Sequence, residues 1–152
     1  GALLRSLEGH AFRVISVACS PDGTKVLTGC DDNAAKLWDS ATGALLRSFT
    51  GHTDSVRAVA FSPDGGRIVT GSNDSTAKLW SIADGALLRS FHSDEAEVWS
   101  VAFSPDGRYV LTGTEYDEAR LWSVATGQLL RSFPVDDANV TSVAFSPEGG
   151  LC

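Results

Sequence analysis

The 152-residue chain has no methionine, only three cysteines, and no apolar run near the roughly 18 residues that a membrane helix needs. No secretory signal pattern opens it. The net charge of −7 argues against a nucleic-acid partner, because phosphate backbones attract basic surfaces. An odd number of cysteines does not suit a disulfide framework, so we expect a reducing, cytoplasmic setting. Since the first residue is Gly1, we expect a fragment of a longer protein.

Motifs for metals and cofactors are also missing from the sequence. His10, His52 and His92 are far apart in the chain, and no Cys-x-x-Cys pair is present. The carboxylates lack the spacing of a calcium loop, and no glycine-rich phosphate loop occurs. The sequence therefore predicts neither a bound metal nor a cofactor.

A seven-residue pattern occurs four times, and each copy starts 42 residues after the last. The copies are residues 17–23 (VACSPDG), 59–65 (VAFSPDG), 101–107 (VAFSPDG) and 143–149 (VAFSPEG). The first half of the pattern is typical of a buried strand. The second half predicts a type I turn followed by a left-handed glycine, a common hairpin connection. Because Cys19 stands where the other copies have Phe, we expect it to fill a core position.

Each 42-residue period contains four short strand patterns separated by turn residues. In the second period they cover residues 44–49, 56–62, 67–71 and 76–81. No helical periodicity is present, and no connection is long enough for a crossover helix, so neighbouring strands should pair antiparallel. The sequence predicts an all-β fold made of four-stranded antiparallel meanders.

Two dipeptides mark the ends of the repeat. The first repeat has Gly-His at residues 9–10 and Trp-Asp at residues 38–39. The second repeat has Gly-His at residues 51–52 and Trp-Ser at residues 80–81. The third repeat has Trp-Ser at 122–123, and Ser93-Asp94 stands where Gly-His belongs. The pattern resembles the WD-repeat family of β-propellers, whose repeats run about 40–45 residues between such marks.

The resemblance implies complete blades at residues 13–49, 55–91 and 97–133. In each blade the strand that leads into the Ser-Pro-Asp-Gly turn is innermost. An unpaired outer strand at residues 2–7 and an unpaired inner strand at residues 139–146 are left over. Three blades are too few to close a ring, because propellers typically have four to eight. We therefore expect an incomplete ring that missing sequence or another chain completes.

The family also implies a buried hydrogen-bond network in each blade. The two complete sets are His10, Thr28, Asp32 and Trp38, and His52, Thr70, Asp74 and Trp80. A histidine beside an acid and a hydroxyl could suggest a hydrolase triad, but a structural network is the better interpretation, because buried polar groups must be paired. We therefore expect no catalytic residue. The third blade has Asp94 for the histidine and Tyr116 for the acid, so it should be less rigid unless Tyr116 or Asp117 finds a substitute partner.

The same resemblance places partner-binding residues on one rim of the propeller. These positions vary between repeats while the strands barely change, which is typical of a scaffold with a tailored face. They are Arg13, Ile15, Asp31, Ser55, Arg57, Asn73, Glu97, Trp99, Glu115, Asn139 and Thr141.

Trp99 lies among the acidic residues of the third repeat, since residues 85–126 carry three basic and seven acidic side chains. An aromatic ring beside carboxylates suits a Lys or Arg side chain of a partner. The alternative is that Trp99 packs against its own blade and the acids are solvated.

Two functions follow from these features. The first is a non-enzymatic scaffold that binds a protein or peptide through the rim, with a basic partner residue at the third blade. The alternative is an assembly piece that completes a larger propeller by strand pairing with another chain or copy.

Overall fold

The computed structural model describes residues 6–116, 118–135 and 139–148, and these residues form twelve β-strands. In the first repeat the strands are β1 (Val14–Cys19), β2 (Lys25–Cys30), β3 (Ala34–Asp39) and β4 (Leu45–Thr50). The second group is β5 (Val56–Phe61), β6 (Arg67–Ser72), β7 (Thr76–Ser81) and β8 (Leu87–His92). The third is β9 (Val98–Phe103), β10 (Tyr109–Thr114), β11 (Glu118–Ser123) and β12 (Leu129–Pro134). Among the described residues no helix is long and apolar enough to cross a membrane.

The strands form three separate four-stranded sheets, β1–β4, β5–β8 and β9–β12. Within each sheet every strand pairs antiparallel with the next one along the chain, for example Val59 with Thr70 and Thr70 with Lys78. This confirms the predicted all-β fold of four-stranded meanders. Over the part of the chain that the structure describes, the three sheets are not closed into a ring.

The repeated Ser-Pro-Asp-Gly turn has the geometry that its residues predict. The amide of Gly65 donates to the carbonyl of Ser62 over 2.9 Å, and Gly65 has a φ of 68°, in the left-handed region. Asp64 accepts the hydroxyl of Ser62 and the amide of Gly66. These hydrogen bonds, that of Ser62 first, lower the pKa of Asp64. The aspartate thus holds the turn together, a role that turn propensity alone does not reveal.

The sheets pack side by side through their first strands, with β1 against β5 and β5 against β9. In each of the first two sheets a glycine near the end of the second strand allows the first strand of the next sheet to approach closely. A Cβ on Gly29 would lie only 2.8 Å from the carbonyl oxygen of Val56, and a Cβ on Gly71 2.8 Å from a methyl of Val98. The apolar core between the first two sheets comprises Leu27, Ala35, Leu37, Phe49, Val56, Val59, Ile68 and Trp80.

One face of the first sheet lacks the cover that the same face of the second sheet has. Val56 and Val59 are 0% and 8% exposed, whereas their counterparts Val14 and Val17 are 46% and 65% exposed. Cys19 lies on the same strand and is also exposed, so the prediction that it fills a core position is wrong. The reason is that no sheet precedes β1 in the described residues to bury it.

The predicted inner strand at residues 139–146 is not a regular strand. Only Phe145 forms an isolated bridge, although Val140 and Val143 pack on Gly113, as Val56 and Val59 pack on Gly29. A strand without a neighbouring strand has no ladder of hydrogen bonds to keep it regular. Of the predicted outer strand at residues 2–7, residues 2–5 lie outside the described residues, and residues 6 and 7 are not in a strand.

Candidate functional site

The structure brings together the four residues of each complete histidine set. In the second sheet, Thr70 lies on β6, Trp80 on β7, His52 just after β4 and Asp74 in the turn between β6 and β7. His52 Nδ1 lies 2.8 Å from Asp74 Oδ2, and its Nε2 lies 2.7 Å from Thr70 Oγ1. The indole N–H of Trp80 donates to the same Thr70 oxygen over 2.9 Å.

The first sheet has the same arrangement with nearly the same distances. His10 Nδ1 lies 2.8 Å from Asp32 Oδ2, and its Nε2 lies 2.6 Å from Thr28 Oγ1. Trp38 donates to Thr28 Oγ1 over 2.9 Å. Two copies of one geometry show that the network is a property of the repeat rather than of one special site.

The two aspartates of these networks are ionised in the folded chain. Burial raises the pKa of Asp74, but hydrogen bonds from His52, Thr76 and the amide of Thr53 outweigh it, and the net pKa lies far below the usual range. For Asp32, burial likewise opposes ionisation, yet the hydrogen bond from His10 and further contacts lower the pKa to about 2. Each carboxylate is therefore a fixed negative charge at neutral pH.

The arrangement is poorly suited to nucleophilic catalysis. Thr70 is fully buried, and its hydroxyl oxygen already contacts His52 and Trp80. A nucleophile must reach a substrate carbonyl, which this oxygen cannot do without opening the sheet. The contacts instead tie the β4–β5 loop and the β6–β7 turn to the middle of the blade, as a satisfied polar network does.

The third sheet fills the histidine position with an ion network. Arg120, the counterpart of Lys36 and Lys78, places Nη1 2.9 Å from Asp94 Oδ2 and Nε 2.6 Å from Glu118 Oε2. Its guanidinium also donates to the carbonyl of His92. Trp122 still donates to Thr112 Oγ1 over 3.0 Å.

These contacts do not include Tyr116, one of the two residues that the sequence singled out. Tyr116 is 64% exposed, and Asp117 lies outside the described residues. Ser93, at the glycine position, adds hydrogen bonds to the carbonyls of Ser75 and Ala96. At matched positions Lys78 becomes Arg120, which keeps the positive charge, and His52 becomes the acid Asp94. This new opposite charge was a signal in the sequence that could have revealed the pair.

On the predicted rim, four side chains from neighbouring sheets form one cluster. We call Arg57, Asn73, Glu97 and Trp99 the rim cluster. The guanidinium carbon of Arg57 lies 5.6 Å from the centroid of the Trp99 ring, and Arg57 Nε donates to Asn73 Oδ1 over 2.8 Å. Trp99 Nε1 donates to Glu97 Oε2 over 2.9 Å, and the same oxygen lies 3.9 Å from Arg57 Nη2. The cation beside Trp99 thus comes from this chain.

The remaining rim positions lie outside that cluster. Arg13 forms an exposed ion pair with Asp31, with 3.2 Å between Nε and Oδ2, next to the half-buried Ile15. Glu115 is half-buried and donates its amide to the carbonyl of Glu97 over 3.0 Å, which holds the two rim segments of the third sheet together. Thr141 is exposed.

An open cleft of about 610 Å³ lies between the second and third sheets, at the strand ends opposite the rim. Its lining includes Arg67, Arg108, Tyr109 and Asp106 beside the Ser-Pro-Asp-Gly turn. None of the rim positions lines it. The cleft and the rim are therefore separate surfaces.

Comparison with known proteins agrees with this architecture. A family model described as the IFT122 first beta-propeller matches residues 1–150. Vegetative incompatibility protein HET-E-1 of Podospora anserina is 50% identical over 42 residues, which is 28% of this chain and 3% of that protein. Transcriptional repressor rco-1 of Neurospora crassa is 42% identical over 43 residues, or 28% of this chain and 7% of that protein.

Protein FIZZY-RELATED 1 of Arabidopsis thaliana is 42% identical over 36 residues, which is 24% of this chain and 8% of that protein. Each aligned stretch is about one repeat long, and the chain spans less than a tenth of each of these relatives. With the family model matching nearly the whole length, the chain belongs to the family of the IFT122 first beta-propeller, and its fold is a partial WD-repeat β-propeller.

Proposed function

We propose that this chain is a non-enzymatic interaction scaffold that binds another protein or a peptide through its rim. Membership of a WD-repeat propeller family supports a scaffold role, and the rim cluster is the observation that carries the choice of surface. Tryptophan and arginine are the side chains most enriched at binding hot spots. Arg57 and Trp99 occupy the same position in the second and third repeats, and the first repeat has Ile15 there. The fold of a blade therefore does not require Arg or Trp at this position.

The partner contributes a basic residue at the third blade in this proposal. Glu97 and the Trp99 ring form a cation site whose present occupant, Arg57, has a side chain that is 36% exposed. An ion pair that exposed gives little stability, because both charges are well solvated. A Lys or Arg side chain from a partner replaces Arg57 on the ring, and Arg57 acts as an internal competitor.

Titration of fluorescent peptides that contain Lys or Arg, with matched Gln peptides as reference, tests this proposal. Trp99→Thr, which introduces the residue of the fourth repeat, should weaken binding of the basic peptides at least about tenfold. Arg57→Ala should tighten it several-fold by removing the competitor. Leu88→Ser, an exposed change on the outer strand, is the matched control and should have no effect.

The direction of the Arg57→Ala effect separates two versions of the idea. Weaker binding would mean that Arg57 itself contacts the partner, and the basic-residue part of the proposal would be wrong. Unchanged binding in both rim variants would remove the rim from the function altogether.

We also propose a second role, in which another chain or copy of the propeller completes the ring against the first sheet. The observation in its favour is the uncovered face of β1, since Val14 and Val17 are exposed where Val56 and Val59 are buried by the preceding sheet. Burial of one such valine contributes about 1.5 kcal/mol or more.

Light scattering across micromolar concentrations tests this assembly. The expected molar mass exceeds that of the 16.0 kDa monomer and falls towards it in Val17→Lys, while Leu88→Lys, on the outer strand, leaves the mass unchanged. A monomeric wild-type chain throughout this range would contradict the assembly role.

A further inference from the structure

One buried position beside the histidine networks differs in chemistry between the repeats. Cys30, at the end of β2, occupies the place of Ser72 in the second sheet and Thr114 in the third. Cys30 is fully buried; its thiol contacts the carbonyl of Phe12, and the amide of Asp32 donates to its sulfur. The network of the first sheet therefore contains a thiol that the other two sheets lack.

This substitution places three different metal-ligand side chains in one small space. Ligand atoms of His10, Cys30 and Asp32 all lie within 4.8 Å of one another. The side chains of His10 and Asp32 are only 5% and 12% exposed. Around a tetrahedral zinc ion, neighbouring ligand atoms stand about 3.5 Å apart, given bond lengths of about 2.0 to 2.3 Å. His10 Nδ1 and Asp32 Oδ2, which are 2.8 Å apart, therefore have to separate slightly to share an ion, and any pair near the 4.8 Å limit has to approach by about 1 Å.

The surrounding hydrogen bonds orient the histidine for such a role. His10 directs Nδ1 towards Asp32, and its Nε2 lies 2.6 Å from Thr28 Oγ1. With a metal on Nδ1, the Nε2–H donates to that hydroxyl, which Trp38 already fixes in place. Metal-binding histidines almost always have an acceptor on the second ring nitrogen.

A positive charge opposes a cation at this place. Lys36 Nζ lies 3.3 Å from Asp32 Oδ2 and also donates to the carbonyl of Gly9. In the second sheet the matching Lys78 donates to Ser90 instead. The Lys36 side chain is long and flexible, and Asp32 has a second carboxylate oxygen. A bound ion therefore displaces the Lys36 ammonium group by side-chain rotation, and the backbone does not have to move.

We propose that His10, Cys30 and Asp32 form a binding site for a borderline-soft divalent cation of the zinc class. A thiolate, an imidazole and a carboxylate together suit zinc and cadmium rather than magnesium or calcium. On binding, the Cys30 thiol gives its proton to solvent as the sulfur–metal bond forms. His10 loses the proton on Nδ1 to solvent and takes one on Nε2 as the nitrogen–metal bond forms, and water fills the remaining position. The second sheet, with Ser72 in place of the thiol, is a built-in control.

Cadmium titration of the full chain tests the site, because thiolate–cadmium bonds give an ultraviolet charge-transfer band. The background carries Cys19→Ser and Cys152→Ser, so that Cys30 supplies the remaining thiol. We expect one equivalent of cadmium, displaced by zinc. Cys30→Ser, which installs the side chain found at Ser72, should abolish the band and weaken zinc binding at least about tenfold.

Two further variants are expected to increase metal binding rather than remove it. Ser72→Cys with Thr76→Ala copies the first-repeat set into the second sheet and should add a second equivalent. Lys36→Ala should tighten binding by removing the competing charge. Far-ultraviolet circular dichroism verifies the fold of each variant.

Absence of the band in the background variant with Cys30 intact, or a band that survives Cys30→Ser, would overturn the proposal. So would Lys36→Ala that weakens binding, because the ammonium would then be part of the site rather than its competitor.

Discussion

In the second sheet His52 lies between Asp74 and Thr70, whereas in the third sheet the corresponding space is bordered by Asp94, Glu118 and Arg120. The first arrangement connects the loop before the inner strand to the turn before the third strand, whereas the second connects that loop to the third strand itself. They differ in burial. The His52 and Asp74 side chains are almost wholly buried, while the Asp94 side chain is 80% exposed.

This comparison teaches that one position in a repeat tolerates two chemistries with unequal energetic consequences. A buried hydrogen-bonded pair leaves an unpaired group behind when one member is lost, which is costly. An exposed ion pair is replaced by water at little cost. The third blade also has no histidine on Thr112, so its Trp122–Thr112 hydrogen bond stands with fewer supporting contacts.

Removal of His52 should have the largest effect. His52→Ala leaves Asp74 and Thr70 buried with one partner fewer, and we expect a loss of about 3 kcal/mol in the free energy of unfolding. Asp94→Ala, its matched counterpart, should cost less than about 1 kcal/mol. Urea unfolding followed by tryptophan fluorescence measures both. Equal losses would show that the two networks are energetically equivalent.

Acid should weaken the first two sheets through their buried aspartates. The pKa of Asp32 falls to about 2 on folding, so its stabilisation is present at pH above about 4 and is lost as pH drops towards 2. A shift from the model-compound value of 3.8 corresponds to about 2 kcal/mol. About 1 kcal/mol, roughly half of this stabilisation, is lost between pH 6 and pH 3. Unfolding free energies at these two pH values measure the loss, and Asp32→Asn should lose less stability over this range than wild type. An identical pH dependence in the variant would contradict the assignment.

Loss of Arg120 should have a moderate effect. Arg120→Ala leaves Glu118 and Asp94 without their shared cation, and we expect about 1 kcal/mol of destabilisation. Arg120→Lys restores the residue type of Lys36 and Lys78 but cannot contact both acids with a planar fork, so it should recover only part of that loss. Thermal unfolding compares the two variants. Full recovery by lysine would mean that charge alone matters there.

The smallest effect is a difference in local stability in the unmodified chain. We expect amide hydrogen exchange to be faster in residues 97–133 than in residues 55–91, by a margin equivalent to about 1 kcal/mol or less. Exchange measured by mass spectrometry on peptides from both ranges tests this. Equal or better protection of residues 97–133 would show that Arg120 fully replaces the histidine network.

Much of this architecture could be predicted because its signals are local and repeated. Alternating apolar residues and the Ser-Pro-Asp-Gly turn specify each hairpin within a few residues, and the strands fall close to the predicted positions. The histidine sets also lie together as the family resemblance implies. The glycine at positions 29, 71 and 113 recurs every 42 residues and could have predicted the close approach of neighbouring sheets.

Other features escaped prediction because they depend on which repeat lies beside which. The sequence predicts that a partner's Lys or Arg binds the ring of Trp99. In the structure Arg57, 42 residues earlier and in the neighbouring sheet, lies next to that ring. Cys19 was predicted to be buried, but burial requires a neighbour, and the described residues provide none on that face. Arg120 was not singled out, since its acids come from two different segments of the chain.

By itself the sequence determined where strands begin and turn, because backbone preferences and the alternation of apolar side chains act over a few residues. It also determined that the units stack, because one meander cannot bury its apolar faces alone. Only the tertiary structure decided which charges meet across sheets and which face stays uncovered. Those outcomes depend on distances between side chains of different repeats, and no local preference encodes them.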